Sequence, residues 1–129
     1  MTEKLELYRC DVCGNMVEVV ISGVGELVCC GKPMKKLTPK NDEVEQDMLE
    51  KHMPTINRTD DGFEVIVGSN THPMELEHYI QFIEVHSEDS KCIKRVYFEP
   101  HEVPILESKC KCATPHARAY CNIHGLYRS

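Results

Sequence analysis

Short apolar runs recur along the chain, each four to seven residues long and bounded by Gly, Pro, Ser or Asp. Phe63-Glu64-Val65-Ile66-Val67 follows a turn signal at Asp60-Asp61-Gly62, and Tyr79-Ile80-Gln81-Phe82-Ile83-Glu84-Val85 is the strongest strand pattern. Ile93 to Phe98, Val103 to Leu106 and Ala117 to Cys121 continue the series. Strands of this length and spacing predict a small antiparallel β-sandwich over residues 52–129. Nearer the start, Leu5 to Tyr8, Val17 to Ile21 and Glu26 to Val28 read as shorter strands around turns at Gly23 and Gly25, within a unit of residues 1–37. Residues 38–51 connect the two. Pro39 opens this connector, and Asn41 or Asp42 is placed to cap a short helix. Acidic residues come early in it and Lys51 ends it, as a helix dipole favours. Val44 and Met48 give it a narrow apolar stripe, and Pro54 stops it. There is no internal repeat.

Composition narrows the reading. The chain has 129 residues, enough for one ordinary domain or a modest one with a small appendage. A hydrophobic fraction of 41% excludes a disordered chain. No apolar run approaches the ~18 residues of a membrane span. A net charge of −6 argues against a nucleic-acid binder. The first residues show no basic stretch leading into an apolar one, so no secretory signal is expected and a cytoplasmic location is. Eight cysteines in such a chain fit metal ligation better than a disulfide framework.

Four of the cysteines lie in residues 10–30 and four in residues 92–121, with none between. The first four are spaced Cys10-x-x-Cys13, then Cys29-Cys30. A unit of about 37 residues buries too little to stand without a staple, and four thiolates supply one. Gly14 can take a left-handed conformation that turns backbone N–H groups towards the sulfurs. The set suits a tetrahedral soft-ligand site for zinc or a single iron. Two disulfides, or three ligands and a spare thiol, are the alternatives. Cys29 and Cys30 share an ion only if the backbone bends between them, because neighbours on a strand point to opposite sides. Gly31 favours that bend.

A second constellation gathers around histidines. Its motifs are Glu50-Lys51-His52-Met53-Pro54, His72-Pro73-Met74-Glu75-Leu76-Glu77-His78-Tyr79, and Tyr120-Cys121-Asn122-Ile123-His124-Gly125. Pro54 and Pro73 restrict the loops carrying His52 and His72. A turn after Cys121 lets it and His124 reach one ion from different directions and aims the N–H groups of residues 123 and 124 at the sulfur. Such hydrogen bonds tune a thiolate-bound metal. Four imidazoles and one thiolate make five donors, one more than a structural zinc takes. Five donors leave one open position on a six-coordinate metal, which suits redox iron working on a small molecule. His86, His101 and His116 lack such company and receive no role.

Together these motifs resemble the desulfoferrodoxin family, the two-iron class of superoxide reductase, over nearly the whole chain. The resemblance implies two iron ions per chain. The first is held by Cys10, Cys13, Cys29 and Cys30 in a distorted tetrahedron. The second has His52, His72, His78 and His124 around its equator and Cys121 as axial ligand. It further implies an immunoglobulin-like β-sandwich, a homodimer, and a rubredoxin-type electron donor. The implied activity is one-electron reduction of superoxide to hydrogen peroxide without dismutation, in antioxidant defence. Glu50 and Lys51 alone read as a solvated charge pair at a helix end. The resemblance gives them roles: Lys51 draws the anion and helps deliver protons through water, and Glu50 occupies the open position of the oxidised iron after product leaves. Local positive charge there outweighs the distant net charge at physiological salt, where the Debye length is about 8 Å.

Cys92, Cys110 and Cys112 fall outside both ligand sets; buried or half-buried free thiols are expected, with a third metal site or a redox switch as the alternatives. Lys109 and Lys111 would lower the thiol pKa of Cys110 and Cys112. Two rival functions remain at this point: a pure electron carrier with both irons, and a zinc-stabilised interaction module.

Overall fold

A computed structural model describes residues 1–41, 51–68, 72–110 and 113–129. The chain forms two compact units, Met1–Thr38 and Pro39–Ser129. No described helix is long and apolar enough to cross a membrane.

In the first unit, β1 (Leu7–Arg9) lies between β2 (Met16–Glu18) and β5 (Lys35–Leu37), antiparallel to both. A separate hairpin joins β3 (Val28–Cys29) to β4 (Lys32–Pro33), with Cys29 opposite Lys32. The buried apolar residues here are Leu7, Cys10 and Val19. The strand expected over Val17 to Ile21 ends at Glu18, and Val20 and Ile21 are exposed. A three-stranded sheet of this size has no second layer to cover that stretch.

Among the described residues the second unit is a sandwich of seven strands. One sheet runs β10 (Ile105–Ser108), β7 (Gly62–Val67), β6 (Pro54–Thr59). The other runs β12 (Gly125–Arg128), β11 (His116–Cys121), β8 (Ile80–His86), β9 (Ile93–Tyr97). All pairings within these sheets are antiparallel. The three-plus-four arrangement is that of an immunoglobulin-like sandwich. Val65, Val67, Ile83, Val85, Leu106, Ala117 and Ala119 alternate inward and fill the space between the sheets.

The alternation breaks once, next to the histidine motifs. Tyr120 pairs with Phe82, but Cys121 pairs with Ile80, so Gln81 is bulged out of the ladder. Regular pairing would set Gln81 opposite Cys121 on the inner face. The bulge substitutes Ile80, and both Ile80 and Cys121 are fully buried. The helix expected ahead of His52 lies largely outside the described residues; Lys51 and His52 are helical.

Candidate metal centres

In the first unit the adjacent cysteines are separated by a turn. Cys29 is the last residue of β3, and Cys30-Gly31 forms the two-residue loop to β4. Both loop residues have positive φ, 53° at Cys30 and 74° at Gly31, the signature of a type I′ hairpin turn. A left-handed cysteine is unusual and is held there by the hairpin. It turns Cys30 back beside Cys29. Gly14 is left-handed as well, with φ 80°, and the Cys13 N–H points at the Cys10 sulfur from 3.5 Å. Sulfur–sulfur separations are 3.5 Å for Cys13–Cys29 and 4.0 Å for Cys29–Cys30. Four sulfurs about 2.3 Å from one ion in a tetrahedron stand roughly 3.8 Å apart, so the set fits a thiolate-bound cation. The Cys13 backbone N–H is the main cause that lowers the Cys10 thiol to about 6. Crowding by the Cys13 and Cys10 sulfurs raises Cys29 to about 12. A cation at the centre relieves that crowding.

In the second unit His52, His72, His78, His124 and Cys121 bring their donor atoms within 4.8 Å of one another. The four imidazoles form a pinwheel. Neighbouring rings in the order 52, 72, 78, 124 have centroids 4.6–4.9 Å apart and are tilted 67–80° to each other. The diagonal pair His52 and His78 are 6.3 Å apart and tilted by 29°. His52 Nε2 and His124 Nδ1 stand 3.0 Å apart, which matches two nitrogens about 2.1 Å from one ion at a right angle. Nε2 of His72 and of His78 is buried with no hydrogen-bond partner. Buried polar nitrogens are normally satisfied, and a cation held between these two would satisfy them. The Cys121 sulfur lies 3.8 Å from His124 Nδ1.

Surrounding groups fix these donors. His72 Nδ1 and the Pro73 carbonyl are 2.7 Å apart, so an Nδ1–H donates there and Nε2 is left as the ligand. The N–H groups of Ile123 and His124 bond the Cys121 sulfur, as the turn predicts, while burial pushes its thiol pKa up. Burial is the largest cause that lowers His72 to about 4, and it lowers His124 too, keeping both imidazoles in the neutral form that binds metal. Asn122 ties the two loops together. Its Oδ1 accepts from the Tyr79 N–H at 2.9 Å, its Nδ2 donates to the Glu77 carbonyl at 3.0 Å, and its own N–H donates to the Tyr79 carbonyl at 3.2 Å. His78 is thereby clamped against the turn that carries Cys121 and His124. Tyr127 stacks on His52 with centroids 4.8 Å apart, and Lys40 Nζ donates to the His124 carbonyl at 2.9 Å. Sequence reasoning missed Lys40 and Tyr127, which sit in no motif of their own.

His52, His72 and Cys121 are buried, whereas His78 and His124 are half-buried and Lys51 is exposed. The centre is therefore reached from the side of His78 and His124. Glu50 lies outside the described residues.

The N-terminal domain family of desulfoferrodoxin matches residues 2–37, and the desulfoferrodoxin family matches residues 44–129. The chain belongs to the desulfoferrodoxin family. A desulfoferrodoxin homologue of Archaeoglobus fulgidus is 47% identical over 129 residues, which is 100% of this chain and 99% of that one. A superoxide reductase of Pyrococcus abyssi is 36% identical over 97 residues, covering 62% of this chain and 84% of that one. The crystal structure of the superoxide reductase from Treponema pallidum superposes with a TM-score of 0.70 over 100% of this chain and 99% of that one; at 20% identity it speaks for the fold. The cofactors that belong with the two donor groups are two iron ions per chain, one on the four cysteines and one on the four histidines and Cys121.

The remaining histidines stay apart from the centre. His86 and His116 face each other across β8 and β11, with centroids 5.7 Å apart. Of the cysteines outside the ligand sets, Cys92 is free but exposed rather than buried. Cys110, expected to be a free thiol, is disulfide-bonded. Lys109 and Lys111 flank it, and cationic neighbours favour the thiolate that oxidises. Cys112 lies outside the described residues.

Proposed function

We propose that this protein is a superoxide reductase, converting one superoxide, one electron and two protons to one hydrogen peroxide at the histidine–cysteine centre, without dismutation. The observation that carries the reading is the pinwheel of four imidazoles with a thiolate beside it: five donors, two with buried nitrogens that lack any other partner. A closed structural zinc site takes four. A ferrous iron bound there supplies the electron and an open coordination position. The protein supplies the rest. The thiolate of Cys121 is steadied by two backbone N–H groups. Lys51, exposed beside His52, draws the anion and passes protons from water. Glu50, next to Lys51 in sequence, would offer its carboxylate as a further ligand to the oxidised iron. Residues 52–129 form the catalytic domain, residues 1–37 the domain of the four-cysteine iron, and residues 38–51 the connector. The reading extends to a homodimer in the cytoplasm that receives electrons from a rubredoxin-type protein for antioxidant defence.

Anaerobic purification with metal counting, followed by an assay that separates reduction from dismutation, tests this. Two irons per chain and peroxide without oxygen evolution are expected. Two irons with no consumption of superoxide would leave an electron carrier, and two zincs would leave an interaction module. In the same assay Lys51→Ala should slow superoxide capture severalfold and flatten its salt dependence, with the iron spectrum unchanged.

A further inference from the structure

Lys40 is held in place before its side chain does anything. Its N–H donates to the Leu126 carbonyl and its carbonyl accepts from the Arg128 N–H, both at 3.0 Å. Residue 40 thus runs as a parallel bridge opposite Tyr127. From this fixed backbone the side chain reaches the ligand turn and an aromatic ring. Nζ donates to the His124 carbonyl at 2.9 Å, and it stands 5.3 Å from the centre of the Tyr127 ring. The same ring stacks on His52, with centroids 4.8 Å apart and an 18° tilt. One ammonium therefore bears on the turn between Cys121 and His124 directly, and on a third ligand through Tyr127.

Gly125 lets the turn close beside this ammonium. Its φ of 91° lies in the left-handed region, and a Cβ there would stand 3.7 Å from Lys40 Nζ. An exposed lysine in a surface ion pair ordinarily contributes little. Lys40 differs because its partners are a backbone carbonyl of the ligand turn and an aromatic ring stacked on a ligand.

We propose that Lys40 is a positioning residue of the histidine–cysteine centre, whose ammonium locks the Cys121–His124 turn and lends the centre a positive charge that favours its reduced state and the approach of an anion. The anion part rests on the superoxide reading; the positioning part does not. A cation beside a centre stabilises the state that carries one more electron. Its hydrogen bond to the turn also holds two ligands in register, and loss of such a support loosens a metal.

The test uses the full iron-loaded chain with Lys40→Met and Lys40→Arg. Three quantities are read: the ferrous-to-ferric ratio of the second centre at a fixed applied potential, the rate of iron loss to a chelator, and superoxide capture against salt. In Lys40→Met the ratio should move about threefold towards ferric, iron should leave several times faster, and capture should slow with a weaker salt dependence. Lys40→Arg keeps the charge and a donor and should stay within about twofold of the unsubstituted protein in all three. An unmoved ratio and unmoved iron loss in Lys40→Met would overturn the proposal. So would equal defects in the two variants, which would make Lys40 a packing residue only. If the unsubstituted protein does not consume superoxide while the ratio and iron loss respond as described, the superoxide reading fails and the positioning role stands. If it does consume superoxide and Lys40→Met changes nothing, the reverse holds.

Discussion

Single residues here do their work at a distance in sequence. Asn122 links the two loops that hold His78, Cys121 and His124, and three hydrogen bonds meet on it. Alanine would remove both side-chain bonds and leave the Tyr79 N–H and the Glu77 carbonyl unmatched. Each such loss costs about 1–3 kcal/mol where the group is buried. Supporting groups of this kind change metal affinity by about 10–100-fold. Asn122→Ala should therefore bind the second iron about tenfold or more weakly in a chelator competition, while the four-cysteine iron keeps its affinity. Equal affinity at the second centre would show that the backbone bond from the Asn122 N–H to Tyr79 is sufficient by itself. Asn122 was visible in its motif, but its task was not: its partners lie 43 and 45 residues away. Lys40 was less visible still, at 84 residues from its acceptor. The metal ligands were legible because close sequence spacing and the chemistry of thiols and imidazoles limit what such groups can do together.

Among the elements, β8 reads most clearly from sequence and conceals the most. Its odd positions Ile83 and Val85 face the core, yet Glu84 on the opposite face is also fully buried. The register explains this. Glu84 stands opposite Arg118 on β11 and Arg95 on β9. Arg118 bonds one carboxylate oxygen and Arg95 the other, so a row of three charges crosses three strands. Removing one partner of a buried ion pair is strongly destabilising, because it leaves charge without compensation. Glu84→Ala should lower the stability of the second unit by about 3 kcal/mol, measured as a fall in the urea midpoint. An unchanged midpoint would mean that the arginines reach water at no cost. Strands β6 and β12 escaped the sequence reading for a related reason. β6 is an edge strand that opens with proline and exposes most of its residues, and β12 is four residues long. Their pairing is set by neighbours rather than by an apolar alternation of their own.

At the scale of the whole molecule, the two units owe their stability to different sources. Three buried apolar residues are described in Met1–Thr38, whereas the sandwich holds a core cluster of eleven. So small a core does not offset the ordering of a chain segment of this size, and metal binding supplies the difference. The sandwich needs no such help. Cys13 is exposed and contributes a sulfur 3.5 Å from that of Cys29, so Cys13→Ser removes one ligand without disturbing buried packing. In Cys13→Ser the first iron should be lost and the first unit should unfold, giving one calorimetric transition in place of two. The remaining transition should keep its temperature, because no ligand of the second centre lies in Met1–Thr38. On the superoxide reductase reading, reduction with a chemical electron donor should stay within about twofold of the unsubstituted protein, since every donor of the histidine–cysteine centre lies in Pro39–Ser129. Loss of activity from a protein whose second transition is unmoved would reverse this: electrons would then have to pass through the four-cysteine iron, and the four cysteines would belong to turnover as well as to folding.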